Sequence, residues 1–121
     1  MRINHLNLPA ANPSEAARFF EEFFGLRCVE EKGRDALIVM FDDAGVSFLL
    51  SNFDPSAAPK CPRDFHIGFI QEDKQHVQTL FDRLKTAGFV DKPPQSIHGN
   101  WSFYVQSPGG ILVEVSCPTN R

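Results

Sequence analysis

At 121 residues and 13.6 kDa the chain is long enough for one domain with a real hydrophobic core. Hydrophobic residues at 42% and charged residues at 22% exclude wholesale disorder. A net charge of −3, from 12 Lys and Arg against 15 Asp and Glu, offers no basic excess for nucleic acid or an anionic membrane surface. No apolar run is long enough to span a bilayer, and Met1-Arg2-Ile3-Asn4-His5 lacks a signal-peptide layout, so the sequence reads as cytoplasmic. Cys28, Cys61 and Cys117 are odd in number and form no C-x-x-C pair, which points to reduced thiols. Twelve Phe against one Trp and one Tyr suggest a phenylalanine-rich core or pocket.

In chain order, an extended segment over 2–8 carries His5 near its middle. Asn12-Pro13-Ser14-Glu15 then places an Asn N-cap before a Pro at the first helical position, with Glu three residues after the cap. Ala16, Phe19, Phe20, Phe23 and Phe24 form a helical stripe that Gly25 can end. Strands are expected over 27–32, 35–41 and 46–52, separated by turn signals at Lys32-Gly33 and Asp43-Ala44-Gly45. Residues 53–63, with Pro55, Pro59 and Pro62, read as a linker. The pattern then repeats: a strand over 64–70 with His66, a helix capped by Asp73 with Val77, Leu80, Phe81, Leu84 and Ala87 on one stripe, and a stop at Gly88. Strands over 95–98, 101–106 and 111–117 follow, the last two split by Pro108-Gly109-Gly110. The chain is thus expected to be a single domain of two β-α-β-β-β modules, 1–52 and 64–117. Neither module buries much alone, so the two should pair.

Strand parity sorts the polar candidates. Phe65, Ile67 and Phe69 share an apolar face suited to lie under a helix, which leaves His66, Gly68 and Ile70 on the other. His5 shares a face with Ile3 and Asn7, opposite Leu6 and Leu8. On the last strand Glu114 shares its face with Leu112 and Ser116, opposite Val113 and Val115. A carboxylate in so apolar a strand needs a charge partner or a metal. Two imidazoles and one carboxylate suit a divalent cation with open positions for substrate or water. The same residues also fit two core histidines bonded to backbone and a glutamate exposed at an edge.

The chain resembles the vicinal oxygen chelate superfamily, which includes glyoxalase I, extradiol dioxygenases, fosfomycin thiol transferases and bleomycin resistance proteins. The carriers are Asn4-His5-Leu6, Phe65-His66-Ile67, and Ser102-Phe103-Tyr104-Val105 followed by Ser107-Pro108-Gly109-Gly110-Ile111-Leu112-Val113-Glu114-Val115. Gly109 stands where Asp is commoner in that turn. The resemblance implies an α+β fold of two paired βαβββ modules, forming a curved half-barrel sheet with helices on the outer face. It also implies a homodimer, a small-molecule substrate, and one divalent metal ion held by His5, His66 and Glu114.

The repeat position matching Glu114 falls at Phe48 or Leu49, both apolar, so a fourth carboxylate ligand is missing. That departs from glyoxalase I and favours a three-ligand site of the dioxygenase type over classical lactoylglutathione lyase activity. Fe suits a dioxygenase; Mn, Ni or Zn suits a lyase or transferase. His98 and Tyr104 are the candidate catalytic proton handlers, and a solvent histidine and an ordinary strand tyrosine are the plain alternatives. Trp101, Phe48 and Phe103 are candidate pocket walls, and His76 reads as surface. The rival function is a non-catalytic binding protein of the bleomycin resistance kind, which sequesters its ligand.

Overall fold

The computed structural model describes residues 1–54, 56 and 61–119, so the linker residues 55 and 57–60 lie outside the described residues. The elements run β1 (His5–Pro9), α1 (Pro13–Phe24), β2 (Arg27–Lys32), β3 (Leu37–Phe41), β4 (Ser47–Ser51), β5 (His66–Ile70), α2 (Lys74–Thr86), β6 (Gln95–Ile97), β7 (Asn100–Gln106) and β8 (Leu112–Pro118). The fold is α+β, with two βαβββ modules that each build a four-stranded mixed sheet. Two compact units result: one ends at Arg63 and takes in the turn Pro108–Ile111, and the other holds residues 64–107 and β8.

In the first unit the strand order is β1-β4-β3-β2, with β1 parallel to β4 and the remaining pairs antiparallel. Helix α1 begins where its cap dictates: the Asn12 side chain accepts from the Glu15 amide at 3.0 Å, and Pro13 opens the helix. It ends at Gly25, whose left-handed φ of 67° is cheap only for glycine. The helical stripe buries Ala16, Phe19, Phe20 and Phe23, and Leu8, Ile38, Met40, Phe48 and Leu50 supply the buried sheet face. Full burial of each Phe, Leu, Ile or Met side chain among these is worth about 1.5–3 kcal/mol. Phe19 meets Phe20 edge-on at 5.4 Å and Phe23 at 5.5 Å, so much of the phenylalanine excess is core. Strand β3 starts at Leu37, later than expected, because Asp35 takes a positive φ of 61° in the preceding turn. Its carboxylate accepts from both the Ser14 amide and hydroxyl at 2.7 Å, which ties that turn to the start of α1.

The second unit repeats the plan in the order β5-β8-β7-β6, with β5 parallel to β8. The Asp73 side chain caps α2 through the His76 amide at 2.9 Å. At the other end the Gly88 amide donates to Lys85 O and the Phe89 amide to Leu84 O, the paired bonds of a glycine-terminated helix. Val77, Leu80, Phe81 and Leu84 are buried, as are Ile67, Phe103, Val105, Val113 and Val115 of the sheet. Phe81 meets Phe103 edge-on at 5.4 Å. Strand β6 stops at Ile97 because His98 (φ 49°) and Gly99 (φ 79°) make a two-residue hairpin turn, with Ile97 opposite Asn100. Such a turn needs positive φ at both central residues.

Phe48 and Phe103 are both buried in the cores of their units, and Phe103 also borders a cavity of about 150 Å³ beside β7. Trp101 lies beneath the Lys74 ammonium, 4.8 Å from its ring centroid. No described helix is long and apolar enough to cross a membrane.

Candidate metal centre

The pleat of the second unit presents one open sheet face, because alternate residues are claimed by α2. On β5, Ile67 is buried while His66, Gly68 and Ile70 are exposed. On β8, Val113, Val115 and Cys117 are buried, whereas Leu112, Glu114 and Ser116 are half-buried on the other side. Register then assembles the neighbours. Gly68 lies beside Glu114 in the parallel pair, and Tyr104 lies opposite Glu114 in the antiparallel pair. Glu114 is thus flanked by a residue with no side chain and by the single tyrosine. A methyl group built on Gly68 would stand 4.0 Å from Glu114 Oε1, so the space beside the carboxylate is open.

Three side chains meet on this face. The Tyr104 ring stands edge-on to the His66 imidazole with centroids 5.4 Å apart. A hydrogen bond to the Glu114 carboxylate pushes the Tyr104 hydroxyl above its ordinary pKa, and partial burial and the carboxylate charge add to the shift. His66 Nδ1 lies 2.9 Å from the Asp64 carbonyl oxygen. A carbonyl only accepts, so Nδ1 is the donor in this bond and Nε2 is the ring nitrogen available to a metal. A bond of this kind at the other ring nitrogen commonly orients a metal-ligating histidine. His66, Tyr104, Asp64 and Leu112 line a shallow depression of about 260 Å³.

The first unit repeats this strand plan around His5. His5 is exposed on β1, and its Nδ1 lies 2.7 Å from Asn4 Oδ1, which again leaves Nε2 as the donor atom. The residue two places after His5, Asn7, pairs with Leu49. This is the same register by which Gly68, two places after His66, pairs with Glu114. Leu49, not the buried Phe48, is therefore the repeat equivalent of Glu114, and it is apolar.

Two imidazole nitrogens and one carboxylate fit a divalent transition metal, so the residues suit the group. Among the described residues of one chain, no group of three or more His, Cys, Asp or Glu gathers into a metal-ligand set. The fold brings His66 and Glu114 to one face of the second unit, and His5 lies in the first. His98 sits exposed at the tip of the β6–β7 hairpin, and its carbonyl accepts weakly from Asn100 Nδ2 at 3.4 Å. His76 is bonded to the carboxylate that caps α2, at 2.7 Å. Sequence reasoning did not single out Gly68 or Asp64. Gly68 had a signal, since it is two residues from His66 and shares its face.

A family model described as the glyoxalase/bleomycin resistance protein/dioxygenase superfamily matches residues 2–115. The chain belongs to this superfamily. A solved structure described as a possible glyoxalase from Bacillus cereus is 39% identical, with a TM-score of 0.86, and the match covers 97% of this chain and 99% of that one. A lactoylglutathione lyase from Agrobacterium tumefaciens shares the fold at 21% identity and a TM-score of 0.75, over 96% and 92% of the two chains. The fosfomycin resistance protein FosX from Listeria monocytogenes does so at 17% identity and a TM-score of 0.77, over 99% and 95%. A search of curated proteins found no match. The superfamily includes metal-dependent glyoxalases, dioxygenases and fosfomycin resistance enzymes, so membership alone does not select one reaction.

Proposed function

We propose that this protein is a divalent-metal-dependent enzyme whose small-molecule substrate chelates the metal through neighbouring oxygens. His5 and His66 hold the ion through Nε2, and Glu114 holds it through its carboxylate. The observation that carries this reading is the placement of His66 and Glu114 on one open face, both against Tyr104, with His66 Nδ1 bonded to the Asp64 carbonyl. A homodimer is part of this reading, as the resemblance to the superfamily implies.

The bound ion would supply Lewis acidity towards a substrate oxygen. The remaining steps fall to the chain's own groups. Gly68 leaves room beside Glu114 for a substrate atom. The Tyr104 hydroxyl, whose bond to Glu114 raises it further above its ordinary value, offers a proton beside the reacting oxygens and orients them. Tyr104 fits this role better than His98, which lies at a hairpin tip. The Leu49 register favours three-ligand chemistry of the dioxygenase type over lactoylglutathione lyase chemistry, because the carboxylate that would serve as base is missing.

Elemental analysis of the purified protein tests the proposal, alongside His5→Ala, His66→Ala and Glu114→Ala. Stoichiometric metal in the parent protein and its loss in all three variants are expected. Metal-free parent and variants that still bind a ligand equally would overturn it in favour of a sequestering protein.

A further inference from the structure

A second cavity, of about 150 Å³, opens beside β7 in the same unit, with Lys92, Gln95, Ile97, Ser102 and Tyr104 among its lining residues. Ser102 is fully buried at 0% exposure. Its Oγ is the one buried side-chain polar atom without a hydrogen-bond partner among the described residues. A buried hydroxyl left unpaired is destabilising, and a native chain that keeps one commonly pairs it with a water or a ligand.

The lining indicates what that ligand is. Gln95 lies opposite Ser102 in the β6–β7 pair. Lys92, Gln95 and Ser102 bring an ammonium, an amide and a hydroxyl, all able to donate. No Asp or Glu is among the lining residues. Pro93, Ile97, Phe103 and the Tyr104 ring form apolar walls. Donor groups together with apolar walls suit an acceptor-only anion carried on a short apolar arm. The volume exceeds that of a single water and accommodates a group of ring size. Tyr104 also borders the depression at His66, so one ring adjoins both spaces.

We infer that this cavity is a subsite for a carboxylate of the substrate, bound by the Ser102 hydroxyl and the Lys92 ammonium, while the chelating end of the same molecule reaches the His66 face. The link between the two ends rests on the metal-dependent reading above; the carboxylate subsite is tested without metal.

The probe is benzoate, titrated into metal-free protein and followed by amide chemical shifts, with neutral benzamide as control. Saturable shifts are expected at Ile97, Ser102 and Tyr104, with benzamide at least about tenfold weaker. Ser102→Ala removes an unpaired hydroxyl, so its Tm should match or exceed that of the parent while benzoate affinity falls about tenfold. Lys92→Ala should bring benzoate down to the benzamide level. His66→Ala should leave benzoate binding unchanged. Absent saturation, equal binding of benzoate and benzamide, or a Ser102→Ala variant with parent affinity would overturn the subsite and leave Ser102 as the partner of an ordered water only. Benzoate selectivity in a protein that takes up no metal would overturn the metal reading alone. Metal uptake without that selectivity would overturn the subsite alone.

Discussion

Replacement of Gly68 separates stability from metal binding at one position. Gly68 lies inside β5, and its φ is not in the left-handed region, so an L side chain can adopt its backbone conformation. The nearest atoms to an added methyl are the Glu114 carbonyl oxygen at 3.9 Å and Oε1 at 4.0 Å, which is ordinary contact. Gly68→Ala therefore introduces no clash and reduces the freedom of the unfolded chain, an expected gain of about 0.4–1 kcal/mol. For a chain of this length that corresponds to a Tm rise of about 2–4 °C. Gly68→Leu also sits on an open strand face, so it should fold, but its branches extend past the methyl position into the space at Oε1. The prediction is near-parent stability with metal affinity lowered by about tenfold or more. Thermal unfolding followed by circular dichroism reads the first effect, and calorimetric titration with Mn²⁺ or Zn²⁺ reads the second. A destabilised Gly68→Ala, or a folded Gly68→Leu that binds metal as the parent does, would refute the placement of Glu114 beside an open metal position.

Three further outcomes are expected. Phe20 is 1% exposed in the first core, so Phe20→Ala should cost about 3–5 kcal/mol in denaturant unfolding. Leu49→Glu places a carboxylate at the register position equivalent to Glu114, and calorimetry should show tighter metal binding than in the parent. The α2 cap should give a pH window. The His76 amide, then its ring, hold the Asp73 carboxyl below its ordinary value of 3.8, so this contribution is present above that pH and is lost as pH falls through the folded value. The hydrogen bond that the His76 ring donates to the Asp73 carboxylate, then the carboxylate charge, raise His76 above its ordinary 6.5, so that contribution is full below 6.5 and is lost as pH rises through the folded value. Tm measured across pH should show both limbs in the parent, and His76→Ala should remove the upper limb while keeping the lower.

Much of this architecture is legible locally. The Asn12 and Asp73 caps act over three residues, and the Gly25 and Gly88 stops act over one turn, so the sequence alone places both helices. Parity turns His66 and Glu114 away from the buried side because Ile67, Val113 and Val115 go into the core, although Phe65, expected beside Ile67 on that side, is exposed. Strand ends are less legible. Asp35 and His98 take positive φ, a conformation that neither residue type demands, and each shortens an expected strand. The pairing of Gly68 with Glu114 and of Tyr104 with Glu114 depends on register between strands far apart in the chain. The unpaired Ser102 hydroxyl depends on what covers it, and no spacing rule reports that.

Diffraction from crystals soaked with Mn²⁺ or Zn²⁺, with anomalous scattering used to locate the ion, tests the metal centre most directly. The account predicts one peak bonded at about 2.0–2.2 Å to Nε2 of a His5, Nε2 of a His66 and a carboxylate oxygen of a Glu114, taken from one chain or from two copies. An ion bound elsewhere, or no ion on the face that carries His66 and Glu114, would contradict it.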